Sequence, residues 1–434
     1  MELEVPDERL KAVLNAVVDS AGSDYIECEC IDAEFFKHKI RDDKYEAGIV
    51  LAALKHPISS PTLSELAKGK QKITIITSDH TRPMPSRVTM PLILEEIRKG
   101  APGAEILILV ATGLHRATND DELLERFGED ICRNEKIIVH DCRDESSLIK
   151  IGTLPSGRAL VLSKYAIDTD LLVSEGFIEP HFFAGFSGGR KSVLPGVAGY
   201  ECVVANHSSD FIADENATAG VLICNPVHED MVAAAKIANL AFILNVTLGE
   251  NQKINGAVAG DPFLAHNEGC ALSVKKVAVE RVLAPIVITT NGGYPLDQNL
   301  YQMVKGMDTA EKCCEKGGVI IAVGECRDGA GGDVFFEDFA SGKSPGELTK
   351  EFLSRKACDT AADQWQSQIL ARILEKFHVI VVAPLIEDIV KQMGMGWAAD
   401  LNEAIALADE WLEKSNGSEA DIVVIPNGPG VFVI

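Results

Sequence analysis

The sequence predicts an α/β fold of two domains, each a mostly parallel sheet with flanking helices, with the functional site in the cleft between them. Short apolar runs alternate with amphipathic stretches, the pattern of parallel strands joined by crossover helices. Polar or glycine-rich segments follow the apolar runs, where open sheets bind ligands. A chain of 434 residues with 46% hydrophobic content can also fill two medium cores. The boundary is placed so that residues 1–270 form an N-terminal α/β domain and 271–434 a C-terminal one.

In order along the chain, KITIITSDHTRPMPS is a β-rich run followed by a polar loop with Asp79, His80, Thr81 and Arg82, and MPLILEEIRKG has helical spacing. AEILILVATGLHRATNDDELLERFG repeats that order; its loop carries His115 and Arg116, and Asn119 with Glu122 has capping-box spacing. KIIVHD and DTDLLVS add two strands. LLVSEGF then runs into HFFAGFSGGRKSVLPGVAG, which has five glycines in nineteen residues, far more than a helix tolerates. YECVVANHSSDFI puts His207 within or at the end of a helix. NLAFILNVTLG reads as a strand, KINGAVAGDP as a return strand or hairpin and FLAHNEGCALSVKKVAV as a helix.

In the second domain PIVITTNGG predicts a strand, PLDQNLYQMVKGMDTAEKCCEKG a helix, GVIIAVGEC a strand and DGAGGDVFF a glycine-rich loop. HVIVVAP and DIVVIPNGPG predict two late strands around helices at 384 to 413. The apolar run GVFVI should pack against a neighbour, with the first domain as the candidate.

Charge and composition exclude several classes. The 41 basic and 65 acidic residues give −24, which repels a nucleic-acid backbone. Eleven scattered cysteines without a CxxC pair suit free thiols in a reducing cytosol, so a cytoplasmic location is expected. MELEVPDERLK is not a signal peptide and no run approaches a membrane span, so no membrane partner is expected.

Within the glycine-rich stretch sits a basic pair, Arg190 and Lys191. A Walker loop needs glycine directly before the lysine, so that motif is absent. A lysine beside another cation and shielded from water loses proton affinity, which makes Lys191 a candidate nucleophile or covalent tether; the alternative is a solvated loop lysine. Of ten histidines, His38, His56, His140, His228, His266 and His378 have no evident chemical neighbourhood, whereas His80, His115, His181 and His207 lie in or just after the polar loops. No pair has HxxxH or HExxH spacing, which argues against a simple zinc hydrolase. Tyr301, Gln302 and Lys305 share one helix surface and can face an anionic ligand, the alternative being an amphipathic helix with a solvated lysine.

SDHTRP, GLHR, EPHFFAGFSGGRKS, ANH, NGGYPLDQNLYQMVKGM and ADQWQSQILAR together resemble segments of the nickel-pincer lactate racemase family, in the same order and over nearly the whole chain. The resemblance implies a pyridinium-3-thioamide-5-thiocarboxylic acid mononucleotide joined to Lys191, holding nickel through one carbon and two sulfurs with His207 as the fourth ligand. It implies His115 and His181 as the two acid/base groups. Arg82, Gln302 and Lys305 match residues facing substrate or cofactor, and Asp79 and Tyr301 match their neighbours. A small-molecule 2-hydroxy acid would be the substrate, with lactate as default, and cofactor-biosynthesis proteins would be partners.

That chemistry is self-consistent. The Cα hydrogen of a 2-hydroxy acid is barely acidic beside a carboxylate, so proton removal there faces a very high barrier. Hydride transfer through a planar 2-keto acid avoids the dianion, and return to the other face inverts the centre. Two bases on opposite sides are then needed, and histidine suits both taking and giving a proton near neutrality. Phe182, Phe183 and Trp365 would line a small pocket, or else belong to the core. Two other classes stay open: a nicotinamide-dependent 2-hydroxy acid dehydrogenase, although no GxGxxG follows a predicted strand, and a non-catalytic nucleotide- or metal-binding homologue.

Overall fold

A computed structural model describes residues 9–15, 44–249, 252–413 and 420–434. His38 lies outside them, as do Cys28 and Cys30. The first described strand, β1 (Leu10–Val13), does not join the strands that follow it but runs parallel to a strand near the C-terminus. After the helices Lys44–Lys55 and Leu63–Ala67 come β2 (Lys72–Ser78), β3 (Glu105–Ala111) and β4 (Lys136–Val139). A hairpin of β5 (Leu148–Thr153) and β6 (Ala159–Ser163) precedes β7 (Leu171–Phe177). A two-residue pair, β8 (Pro180–His181) and β9 (Gly185–Phe186), opens the glycine-rich stretch, and β10 (Leu240–Leu248) and β11 (Ile254–Gly260) follow.

These form a six-stranded sheet in the order β11-β10-β7-β2-β3-β4, parallel except for the β10–β11 hairpin. The chain leaves β2 toward β4 and returns to β7 on the other side of β2, which creates a switch point at the carboxyl ends of β2 and β7. β2 and β3 pair without a register shift, so their loops start level. Both faces are covered: Ile75 and Ile108 point into one core, Ile76 and Leu109 into the other. That burial explains why these strands are continuous apolar runs rather than alternating ones.

The short β12 (Ala278–Val279) leads into β13 (Ala284–Thr290), β14 (Cys314–Val323), β15 (His378–Val382), β16 (Gly396–Ala398), β17 (Ile422–Ile425) and β18 (Phe432–Val433). The second sheet, β1-β17-β13-β14-β15-β16, is wholly parallel. Its inner face shares one continuous core with the inner face of the first: Leu109 and Leu172 belong to the same cluster as Val287, Ile320 and Val423. β18 pairs with β12, and the Phe432 ring lies where a Cβ on Gly220 would stand, so the GVFVI run does pack against the segment after the glycine-rich loop.

Two expected elements are shorter than the sequence suggested. The helix expected over 295–317 spans Leu300–Glu311, because Asn299 caps it by accepting from the Gln302 amide and Cys314 already begins β14. DGAGGDVFF is a loop only to Gly332; Asp333 opens a helix that buries Phe335 and Phe339. The Asn119–Glu122 capping box is formed. No described helix is long and apolar enough to cross a membrane.

Candidate active site

The loops at the switch point meet the start of the helix Leu300–Glu311 around a cavity of about 410 Å³, a size that suits an organic ligand. Nine of the residues singled out from the sequence line it: Asp79, Arg82, His115, His181, Lys191, His207, Tyr301, Gln302 and Lys305. Phe182, Phe183 and Trp365 line it as well. His80 does not; its Nδ1 lies 3.1 Å from the Thr118 hydroxyl and 3.8 Å from Glu122.

Three of its histidines have their tautomers set by neighbours. Asp79 is buried, and its Oδ2 lies 2.7 Å from His115 Nδ1 while Oδ1 accepts from the Thr81 hydroxyl at 2.7 Å. Burial would raise the Asp79 pKa, but the His115 hydrogen bond and charge, Arg82 and Thr81 outweigh it and hold the carboxyl down to about 2. An ionised carboxylate only accepts, so His115 donates from Nδ1 and keeps its lone pair on Nε2. The His115 side chain is 43% exposed, open to the cavity mouth.

His181 differs. Its Nδ1 accepts from the Ala184 amide at 3.3 Å, which leaves the proton of the neutral ring on Nε2. Its ring stacks on Phe182 and meets Phe183 edge-on, with centroids 4.9 and 4.6 Å away. Burial first, then the charges of Lys191, Lys305 and Arg82, push its pKa well below the ordinary value.

His207 caps the helix Tyr200–Asn206 and donates from Nδ1 to the Val203 carbonyl at 3.1 Å. The Nε2 lone pair is therefore free, as a metal ligand requires. Phe183 and Trp365 meet its ring edge-on at 5.1 and 4.9 Å, and burial pushes its pKa down to about 3. Among the described residues no group of three or more His, Cys, Asp or Glu is placed to hold a metal ion.

Lys191 sits in a 3₁₀ turn, Gly189–Ser192, entered through Gly188 and Gly189 at φ 74° and 52°. Its Nζ is 5.7 Å from the centre of the Phe183 ring. Burial lowers its pKa well below the lysine range, and Arg190, Arg82 and Lys305 lower it further against a partial offset from Glu179. The side chain is half-buried in the cavity wall, and the lowered proton affinity suits an amine that reacts. Arg190 turns away from the cavity, donating from Nε to His228 Nδ1 at 2.9 Å and from Nη2 to the Ala184 carbonyl at 2.6 Å, with His266 Nε2 2.9 Å from Nη1.

On the opposite wall Tyr301 donates its hydroxyl proton to Asp363 at 2.9 Å, which leaves only oxygen lone pairs for a ligand. Lys305 is lowered to about 8 by burial and Arg82, with Glu179 opposing. Gln302 Oε1 is buried without a partner among the described residues, an acceptor that suits a ligand hydroxyl or N–H. Glu179 escaped the sequence reading because a lone glutamate two residues before His181 carries no spacing signal. It is exposed and does not line the cavity, yet its charge opposes the lowering of Lys191 and Lys305.

Residues 22–220 match the model of the lactate racemase N-terminal domain and residues 279–433 that of the C-terminal domain. A lactate racemase of Thermoanaerobacterium thermosaccharolyticum is 48% identical over the whole chain and 96% of its own length. The chain belongs to the lactate racemase family. It is thereby an isomerase. A Lactiplantibacillus plantarum lactate racemase is 49% identical over 389 residues, 89% of this chain and 91% of the relative. The structure of the lactate racemase apoprotein from T. thermosaccharolyticum superposes with a TM-score of 0.91 at 47% identity, covering 100% of this chain and 97% of that one. A Thermotoga maritima protein of 17% identity shares the fold alone, with a TM-score of 0.64 over 90% of this chain and 98% of that one.

Proposed function

We propose that this family member interconverts D- and L-lactate at the cavity between its two sheets, using a nickel-pincer nucleotide attached to Lys191. The observation that carries this is the set of preset groups around one cavity: a readily neutral amine at Lys191, a free imidazole lone pair at His207, and two further imidazoles, His115 and His181. These fit the cofactor. Lys191 would form the thioamide link, His207 Nε2 would ligate nickel, and Gln302 Oε1 would accept from the bound molecules. When bound, the nucleotide supplies a centre that accepts the Cα hydride and returns it.

The chain's own residues do the rest. Arg82 and Lys305 bind the substrate carboxylate, Arg82 with a fork suited to bidentate contact. His115 takes the hydroxyl proton of one enantiomer at Nε2, and Asp79 stabilises the imidazolium so formed. His181 serves the opposite face, its ring clamped by Phe182 and Phe183; to take a proton there it shifts its own to Nδ1, giving up the 3.3 Å bond from the Ala184 amide and freeing the Nε2 lone pair. The same phenylalanines and Trp365 exclude water and leave room for a short aliphatic substituent, which favours lactate over a dicarboxylate. Asp79 thus acts through His115 where the cofactor is expected, and Tyr301, held by Asp363, faces the ligand with its oxygen lone pairs.

The test is to prepare the protein with cofactor-biosynthesis enzymes, weigh it intact, and give it single enantiomers of lactate without nicotinamide. Conversion of each to a one-to-one mixture, with an adduct mapped to Lys191, is expected. An unmodified Lys191 in an active sample, or turnover that requires NADH, would overturn the reading.

A further inference from the structure

The loop Asp79–Pro85 carries Asp79 and Arg82 and contains two prolines, which donate no N–H, so its own backbone ties are few: the Arg82 amide donates to the Asp79 carbonyl at 3.2 Å and the Ser86 amide to the Met84 carbonyl at 2.9 Å. Further donors to these carbonyls come from one side chain that nothing in the sequence marked. Arg126, in the last turn of the helix Asp120–Phe127, donates from Nη2 to the Asp79 carbonyl at 2.5 Å and to the Arg82 carbonyl at 2.8 Å, and from Nη1 to the Met84 carbonyl at 3.1 Å. Its Nε is buried without a partner among the described residues, so the side chain is held by these carbonyls and not by a carboxylate.

The surroundings reinforce the clamp. Glu175 on β7 is buried and accepts from the hydroxyls of Thr77, Ser86 and Thr89 at 2.6, 2.6 and 2.5 Å, binding β2 and the helix Ser86–Gly100 to β7. Arg87 donates to the Glu125 and Leu124 carbonyls, so the two helices flanking the loop are tied to each other. The residue whose carbonyl Arg126 grips at 2.5 Å is the one whose carboxylate orients His115.

We propose that Arg126 is a positioning residue: by holding three carbonyls of the Asp79–Pro85 loop it sets where the Asp79 carboxylate and the Arg82 guanidinium stand. This rests on the proposed function only for its effect on turnover. Lysine cannot replace it, since a single ammonium lacks the planar fork that reaches carbonyls on two sides.

Apoprotein labelled with ¹⁵N-histidine tests the claim without cofactor. In the parent, His115 should show the Nδ1–H tautomer, assigned through His115→Ala; Asp79→Asn should shift it toward the Nε2–H form that free imidazole prefers. Arg126→Lys and Arg126→Gln should move His115 toward the Asp79→Asn pattern while His140, bonded to the Ala198 carbonyl on another element, stays unchanged. In loaded enzyme the same variants should lose about 10- to 100-fold in kcat and raise the lactate KM, the scale of an ångström of misplacement. Parent tautomer signals in a folded Arg126 variant would overturn the proposal whatever its activity. Failure of both variants to fold would mark Arg126 as a general stability element and count equally against it. A loaded parent that leaves lactate unchanged would sink the racemase reading, yet the histidine spectra would still decide on Arg126.

Discussion

At the scale of single residues, the partner of each imidazole's Nδ1 decides what its Nε2 offers. A carboxylate leaves the His115 lone pair on Nε2, a backbone amide gives His181 a donor there, and a carbonyl frees the His207 lone pair. The last assignment gives a separable prediction. His207→Ala should leave the protein folded with the organic part of the cofactor on Lys191, but nickel should fall to well below one per chain. Intact mass and metal analysis of the same sample check this, and stoichiometric nickel in the variant would remove His207 from the ligand set. Nothing in the spacing of four scattered histidines could have revealed these tautomers, because they depend on partners as remote as Asp79 from His115.

At the scale of elements, the glycine-rich stretch was legible as a loop, but the reason for its glycines was not. They let backbone approach other protein atoms: a Cβ on Gly188 would come within 2.8 Å of Asn245 Oδ1 and 2.9 Å of the Phe177 carbonyl, at a φ of 74°. Asn245 also accepts from the Gly189 amide at 2.8 Å, so the turn presenting Lys191 hangs on this contact. Gly188→Ala should cost about 1–3 kcal/mol in urea unfolding and reduce the yield of Lys191 adduct. Gly69→Ala, at a φ of 76° with open space around it, should leave the adduct intact. Equal adduct yields in the two variants would show that the turn tolerates displacement. The β2 and β3 units were readable because buried parallel strands are long apolar runs. The β5–β6 hairpin, with partly exposed short strands, and β1, whose partner is over 400 residues away, gave no comparable local pattern.

At the scale of the whole molecule, a chain of net charge −24 gathers Arg82 and Lys305 around one cavity beside Lys191, a local positive field suited to an anionic ligand. Burying Arg190 close to that field has a consequence for acid stability. His228 is held down to about 3 by burial and Arg190, and His266 well below its ordinary value by the same two causes. In the unfolded chain both titrate near the ordinary value of about 6.5. Between that pH and about 3 the unfolded state therefore binds more protons than the folded one, so stability falls as pH is lowered. The apoprotein Tm should drop steadily below about pH 6.5, and His228→Asn, which retains an acceptor without a proton to gain, should show a shallower slope. An unchanged slope would place the acid sensitivity elsewhere.

The central claim is that His115 and His181 serve opposite faces of one planar intermediate, and half reactions test it most directly. Equilibrium between enantiomers stays at unity in any variant, so neither mutant can racemise in one direction only. His115→Ala and His181→Ala should each abolish racemisation while each still oxidises one enantiomer to the 2-keto acid, and the enantiomer should differ between the two. Rapid mixing of each loaded variant with D- or L-lactate, followed by cofactor absorbance and trapping of the keto acid, reads this out. Opposite enantiomer preferences are the predicted result; the same preference in both variants, or racemisation by either at the parent rate, would contradict the two-base assignment.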